Sequence, residues 1–216
     1  MISYLESLKN CDAEFTLEEQ NLSAAAYKNL IDPLRYSLKV ITSEVVKAEE
    51  ENSPYLEYDK LFENQVKTEL RNLVQQAMDH LDDNLTIPHS KVEAEVFCLK
   101  LKADYYRYLA ELEEGSNREN VAEYSLIAYK QANSIATSSL PPNNPLRLGV
   151  ALNFATFYHS IAGKTDMAFK IARQAYTDAV AEMDETNEEK NSDSSLIMQV
   201  LKINIACWSK ELPLGN

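Results

Sequence analysis

The sequence predicts an all-α protein, and three observations support this class. Glycine is scarce, with 4 among 216 residues, although an antiparallel β protein of this length would need many glycine-containing turns. No segment longer than about five residues alternates between apolar and polar side chains as a strand does. Hydrophobic residues make up 45% of the chain and charged residues 25%, which is typical of a packed protein. We therefore expect long helices in an antiparallel array, forming a single domain over residues 1–216.

The first half of the chain contains three predicted helices, each bounded by recognisable signals. The first is short and covers residues 2–10. Thr16 and Glu19 have the spacing of a capping box, which predicts the start of a long helix that ends near residue 50. Ser53 and Pro54 begin the next helix, because proline is tolerated in a first turn, and it ends near Asn84.

Later breakers complete an array of about eight helices. Gly115–Asn117 and Gly163 mark two of the breaks, and a polar stretch at residues 185–194 marks another. The predicted helices lie at about 90–113, 118–138, 145–162, 165–184 and 192–209.

Charge and composition exclude several classes of protein. The net charge is −13, from 34 acidic and 21 basic residues, which argues against a general nucleic-acid binder. No stretch of about 18 apolar residues is present to span a membrane, and the first ten residues do not resemble a secretory signal. Cys11, Cys98 and Cys207 are far apart and predict reduced packing residues. The expected compartment is the cytoplasm, with the nucleus as a second one.

The sequence contains no pattern typical of an enzyme. His80, His89 and His159 do not have metal-ligand spacing, and no phosphate-binding glycine loop or nucleophile motif is found. Runs of neighbouring carboxylates are typical of solvated helix faces. We therefore predict a protein without catalytic residues, cofactor or metal.

Two pairs of cations have a spacing that suggests an anion site. Lys28 and Arg35 are seven residues apart, which brings both to nearly the same face of a helix. Lys100 and Arg107 repeat this spacing, and Tyr108 follows the arginine. Two such helices could converge on one doubly charged anion, because arginine, lysine and a phenol all donate to phosphate oxygens. The alternative is that these cations are ordinary solvated helix charges.

Two further stripes combine apolar residues with an asparagine on one helical face. The first consists of Leu152, Asn153, Thr156 and Ser160, and the second of Leu196, Ile197, Val200, Asn204 and Trp208. An asparagine amide both donates and accepts, which suits an extended peptide backbone. The alternative interpretation is two core stripes with asparagine at their edges.

At these residues the chain resembles the 14-3-3 family. Four segments carry the resemblance in family order and spacing: EEQNLSAAAYKN (18–29), VFCLKLKADYYRYLAE (96–111), NPLRLGVALNFATFY (144–158) and DSSLIMQVLKINIACW (193–208). Weaker similarity joins them, so the resemblance covers essentially the whole chain. It implies a helical protein whose concave groove binds phosphoserine or phosphothreonine segments of other proteins, without nucleic-acid or membrane partners.

The resemblance also implies roles for individual residues. Lys28, Arg35, Arg107 and Tyr108 match the phosphate ligands, and Lys100 matches a supporting cation of the groove. Asn153 and Asn204 match the residues that hold the main chain of the bound peptide. The groove wall is matched by Leu152, Leu196, Ile197 and Val200, with Trp208 at its far end. Ser37 matches a serine whose phosphorylation disfavours dimers, and is a candidate regulatory site.

Several positions depart from the family's pattern. Pro33 lies between Lys28 and Arg35, and a proline inside a helix usually kinks it. Ser160 replaces a groove glutamate, and Thr156 replaces an apolar wall residue. The family's first helix, part of its dimer interface, and its acidic tail have no counterpart. We therefore expect a monomer or a weakened dimer.

The predicted function is a non-enzymatic adaptor that binds phosphorylated partners and so regulates signalling. The alternative is a helical scaffold that binds independently of phosphate, either a divergent member or a tetratricopeptide-like protein. Residues 145–184 look a little like one tetratricopeptide hairpin, but no 34-residue repeat follows elsewhere.

Overall fold

A computed structural model of the chain describes residues 17–83, 92–182 and 188–212. These ranges contain seven helices and no strand: α1 (Leu17–Glu50), α2 (Leu56–Asp83), α3 (Val92–Leu112), α4 (Gly115–Ser139), α5 (Pro145–Ser160), α6 (Thr165–Glu182) and α7 (Glu188–Glu211). The prediction of an all-α protein is confirmed. The short helix predicted at residues 2–10, and the cap predicted at Thr16, lie outside the described residues.

Packing divides the chain into two compact units, Met1–Thr86 with α1 and α2, and Ile87–Asn216 with α3 to α7. The single domain over residues 1–216 stays a prediction. None of the described helices combines the length and the apolar character needed to cross a membrane.

In the first unit, α1 and α2 form an antiparallel pair. The contacts run in opposite chain directions: Tyr27 packs on His80 with ring centroids 5.7 Å apart, Thr42 donates to Glu63 at 2.7 Å, and Lys60 pairs with Glu49 at 2.7 Å. The buried apolar positions recur every three or four residues along both helices, as an amphipathic helix requires. They include Tyr27, Ile31, Leu38 and Val45 on α1 and Val66, Leu70 and Val74 on α2.

Helix α1 is continuous through Pro33. Proline lacks the N–H that would bond to the carbonyl four residues earlier, so one backbone hydrogen bond is absent at this turn. The flanking buried residues Ile31 and Leu38 lie on either side of the proline and keep the apolar face of α1 in register across it. The predicted kink therefore does not divide the helix.

The second unit packs five helices around a main core, and a smaller cluster is formed by Val96, Ala132, Ala136, Leu140 and Val150. Buried alanines occupy α3, α4 and α6, and they surround large side chains such as Tyr129, Leu148, Phe157 and Trp208. Alanine has a short side chain, so helices can approach closely where it lies at the contact. Tyr129 in particular packs between Phe154 and Phe157, with ring centroids 5.5 and 5.8 Å away.

The boundary between α3 and α4 corrects the prediction. The sequence places a break at Gly115–Asn117 and a helix start at residue 118, whereas α4 begins at Gly115 itself. Gly115 has φ +56°, a backbone conformation that glycine adopts without a steric penalty. The chain therefore turns at Glu113 and Glu114, and Gly115 opens the helix. The break predicted at Gly163, where φ is +63°, is confirmed.

Candidate functional site

The first predicted cation pair lies on one face of α1 and shares a carboxylate. Lys28 Nζ is 4.0 Å from Asp32 Oδ2, and Arg35 Nη1 is 3.6 Å from Asp32 Oδ1. The Lys28 side chain is 70% exposed and that of Asp32 is 42% exposed. The Arg35 side chain is only 18% exposed. Both contacts are long ion pairs to a half-exposed carboxylate, which contribute little to stability. Ser37 is exposed on the same helix.

The second predicted pair surrounds a buried carboxylate. Lys100 Nζ lies 2.9 Å from Asp104 Oδ2, and Arg107 Nη2 lies 3.5 Å from Asp104 Oδ1. Asp104 is only 4% exposed. Two further residues donate to it, Tyr129 through its hydroxyl and Asn153 through its Nδ2, at 2.9 Å from each carboxylate oxygen. We call Lys100, Asp104, Arg107, Tyr129 and Asn153 the Asp104 cluster.

Arg107 is fixed from several sides. Its Nε donates to the Tyr129 hydroxyl at 3.1 Å, its Nη1 donates to Glu111 at 3.2 Å, and its guanidinium carbon lies 4.7 Å from the centre of the Tyr108 ring. Within the described ranges its N–H groups make three hydrogen bonds. A guanidinium carries five such donors, so two are left unused by the described residues and can serve a ligand.

Within the Asp104 cluster, Asp104 and Arg107 are held in their ionised forms. Burial would raise the pKa of Asp104, but Lys100 and Arg107 hold that pKa below its ordinary value. Burial likewise acts to lower the pKa of Arg107, and the oxygens around it, led by those of Tyr129 and Asp104, raise it. Burial and the Asp104 charge raise the pKa of Tyr129 well above its ordinary value. Tyr129 is therefore a neutral phenol that donates to Asp104 and accepts from Arg107.

Part of the predicted stripe on α5 forms hydrogen bonds within its own helix. Asn153 belongs to the Asp104 cluster and Leu152 is half-buried. Thr156 donates its hydroxyl to the Leu152 carbonyl at 2.8 Å, and Ser160 donates to the Thr156 carbonyl at 2.8 Å. Both hydroxyls are satisfied within the helix and can offer a ligand only their remaining lone pairs.

The predicted stripe on α7 divides into an exposed and a buried part. Leu196 is 62% and Val200 43% exposed, whereas Trp208 is 5% exposed and its ring centroid lies 5.2 Å from that of His159. Ile197 packs against the core, and Asn204 is half-buried. Ile203, which the sequence analysis missed, is 62% exposed. Its spacing of seven residues from Leu196 places it on the same face, and we call Leu196, Val200 and Ile203 the apolar stripe of α7.

Comparisons with known proteins cover nearly the whole chain. The sequence model of the family described as "14-3-3 protein" matches residues 1–209. The chain is 42% identical over 215 residues to 14-3-3 protein epsilon of Drosophila melanogaster, which covers 98% of the chain and 81% of that protein. It is 41% identical to 14-3-3-like protein GF14-F of Oryza sativa subsp. japonica, over 98% of the chain and 82% of that protein.

The chain belongs to the 14-3-3 family. The resemblance stated from the four sequence segments is thereby confirmed, and so is the prediction of an adaptor without enzymatic activity, since 14-3-3 proteins are non-enzymatic protein-binding adaptors. Similarity to 14-3-3-like protein GF14 psi of Arabidopsis thaliana, at 40% identity over 98% of the chain and 84% of that protein, supports the same assignment. The roles of individual residues stay predictions.

For this 14-3-3 protein, the structure brings together three of the predicted site residues, Lys100, Arg107 and Asn153, through one residue that the sequence analysis missed. Asp104 stands four residues after Lys100 and three before Arg107, so helical spacing could have revealed it. Tyr129 gave no such signal, because it comes from another helix 22 residues beyond Arg107. Lys28 and Arg35 belong to the other unit.

Proposed function

We propose that this chain is an adaptor that binds phosphoserine- or phosphothreonine-containing segments of other proteins. In the second unit, Arg107 and Tyr108 would bind the phosphate, and Lys100 would add positive potential beside it. In the first unit, Lys28 and Arg35 match phosphate ligands of the family and stay predicted ones. Asn153 and Asn204 would bind the peptide main chain. The apolar side chains Leu152, Leu196, Ile197 and Val200, together with the Trp208 end of α7, would contact the residues around the phosphate.

The observation that supports phosphate binding is the state of Arg107. Arg107 is 6% exposed, and its guanidinium makes three hydrogen bonds to described residues, which leaves two donors for a ligand. A phosphoserine carries about −1.5 to −2 charges and three acceptor oxygens, and each charge-assisted bond contributes about 1.5–3 kcal/mol. An unphosphorylated serine offers no such charge, so phosphate on the peptide should decide binding.

A titration tests this function. A fluorescent Arg-Ser-x-phosphoSer-x-Pro peptide and its unphosphorylated twin would be compared by anisotropy. Only the phosphorylated peptide should bind at micromolar concentration or below. Arg107→Gln should weaken its binding at least about tenfold. Arg173→Gln is the matched control, because Arg173 is an exposed arginine of α6 in the same unit, and it should leave the affinity unchanged.

One observation favours the alternative, a scaffold whose binding is independent of phosphate. Both cation pairs already contact an aspartate, Asp32 in one unit and Asp104 in the other. The apolar stripe of α7 is exposed and offers a surface that needs no charge. Equal binding of both peptides, or an unchanged affinity in Arg107→Gln, would favour this second function.

A further inference from the structure

One carboxylate connects three helices of the second unit at the candidate site. Asp104 accepts from Lys100 and Arg107 of its own helix, from Tyr129 of α4 and from Asn153 of α5. Burying such an ionic cluster is weak evidence for stability, because desolvation offsets much of the attraction. What the cluster does provide is a fixed geometry for the two side chains, Arg107 and Asn153, whose proposed roles concern different parts of a peptide.

The Asn153 amide has only one orientation beside Asp104. Its Nδ2 is 2.9 Å from both carboxylate oxygens, and exchanging the amide nitrogen and oxygen would set an oxygen against an ionised carboxylate. The network therefore assigns the amide direction. With the NH₂ group turned to Asp104, the Oδ1 atom is turned away from it and can accept an N–H from a peptide main chain.

Tyr129 gives the cluster a rigid anchor. Its ring is fully buried and packed between Phe154 and Phe157, so the hydroxyl has little freedom to move. That hydroxyl donates to Asp104 and accepts from Arg107 Nε at 3.1 Å. It therefore fixes the carboxylate and the guanidinium relative to each other.

We propose that Asp104, anchored by Tyr129, is a positioning residue of the phosphopeptide site. It holds the Arg107 guanidinium and the Asn153 side-chain amide at a fixed distance and orientation to each other. The inference rests on the proposed function and deepens it. The site then recognises a phosphate and a main-chain N–H at a defined separation on one peptide. Phosphate charge alone is not sufficient for tight binding.

Whether Asp104→Asn binds a phosphopeptide more tightly or more weakly than wild type distinguishes a positioning role from simple charge balance. Asp104→Asn removes a negative charge beside two cations, so a residue that merely balanced charge would give a variant with tighter phosphopeptide binding. A positioning residue gives the opposite result, because an asparagine amide cannot accept from all four donors. We expect the anisotropy titration to show binding at least about tenfold weaker in Asp104→Asn. Unchanged or tighter binding would overturn the proposal.

Tyr129→Phe provides a second variant that keeps every charge and the packed ring. It removes only the hydroxyl, and we expect about tenfold weaker binding. Tyr124→Phe is the matched control, since Tyr124 lies on the same helix with a 55% exposed side chain, and its affinity should not change. Thermal unfolding followed by circular dichroism confirms that each variant is folded. If Asp104→Asn is unfolded, Tyr129→Phe alone decides the outcome.

A double-mutant cycle with Asn153→Ala tests the connection to the amide. If Tyr129 and Asp104 act through Asn153, Tyr129→Phe should weaken phosphopeptide binding less when Asn153 is already alanine. The factor by which the affinity falls should be at least about threefold smaller in the Asn153→Ala background than in wild type. A general loss of fold would give the same factor in both backgrounds and would contradict the proposal. If wild-type protein fails to discriminate the two peptides, the proposed function fails and this inference falls with it. If wild type binds only the phosphorylated peptide and the variants bind it with unchanged affinity, the proposed function stands and only this inference is overturned.

Discussion

Lys28–Asp32–Arg35 on α1 and Lys100–Asp104–Arg107 on α3 have the same residue types at the same spacing, yet they form different structures. On α1 the aspartate is 42% exposed and its contacts are 4.0 and 3.6 Å long. On α3 the aspartate side chain is 5% exposed, and Lys100 approaches it to 2.9 Å. The difference comes from Tyr129 and Asn153, which other helices bring to Asp104 but not to Asp32. Helical spacing brings the charges together, and tertiary packing decides whether they are held rigidly.

We call Lys28–Asp32–Arg35 and Lys100–Asp104–Arg107 the two triads. The largest expected difference between them concerns stability. Asp104→Ala removes the buried carboxylate shared by Lys100 and Arg107 and leaves Arg107 with Glu111 as its one carboxylate partner among the described residues. It should lower the free energy of unfolding by about 3–5 kcal/mol. Asp32→Ala removes two long ion pairs of a half-exposed carboxylate, and its effect should be less than about 1 kcal/mol. Urea unfolding of the two variants measures both values. Losses of similar size would show that burial does not distinguish the triads.

The pH dependence of stability offers a second distinction. The pKa of Asp104 in the folded protein lies below its ordinary value of 3.8. A lowered pKa stabilises the fold above the unfolded value and loses that contribution as pH falls through the folded one. The stability gap between wild type and Asp104→Asn should therefore be constant from neutral pH to about pH 5 and narrow below about pH 4. Urea unfolding at a series of pH values checks this, and a gap that narrows between pH 7 and 6 would refute it.

The smallest expected effect concerns phosphopeptide affinity at Lys28, Asp32 and Arg35 of α1. If Lys28 and Arg35 bind phosphate as proposed, the Asp32 carboxylate competes with it for both cations, and Asp32→Asn should tighten binding about two- to fivefold at low salt. The gain should diminish at high salt, because exposed charges are screened. Anisotropy titrations at two salt concentrations measure it. Weaker binding would show that Asp32 also positions its cations.

The helices were largely predictable from the sequence, because proline, glycine and polar runs mark most of their ends. Gly115 was assigned wrongly since a glycine after a helix usually ends it, whereas here its positive φ opens the next one. The two cation pairs followed from helical spacing alone. Asp104 could not be distinguished from a solvated partner, because its burial depends on Tyr129 and Asn153, which lie 25 and 49 residues away.

The aromatic packing of Tyr129 also has a consequence for the lifetime of complexes. Because its ring is fully buried and its hydroxyl already bonds to Asp104 and Arg107, these groups lose their conformational freedom when the protein folds. Little further ordering is then needed when a peptide arrives. Partners that fit this fixed arrangement well or poorly should associate at similar rates, and the difference between them should be expressed in how slowly they dissociate.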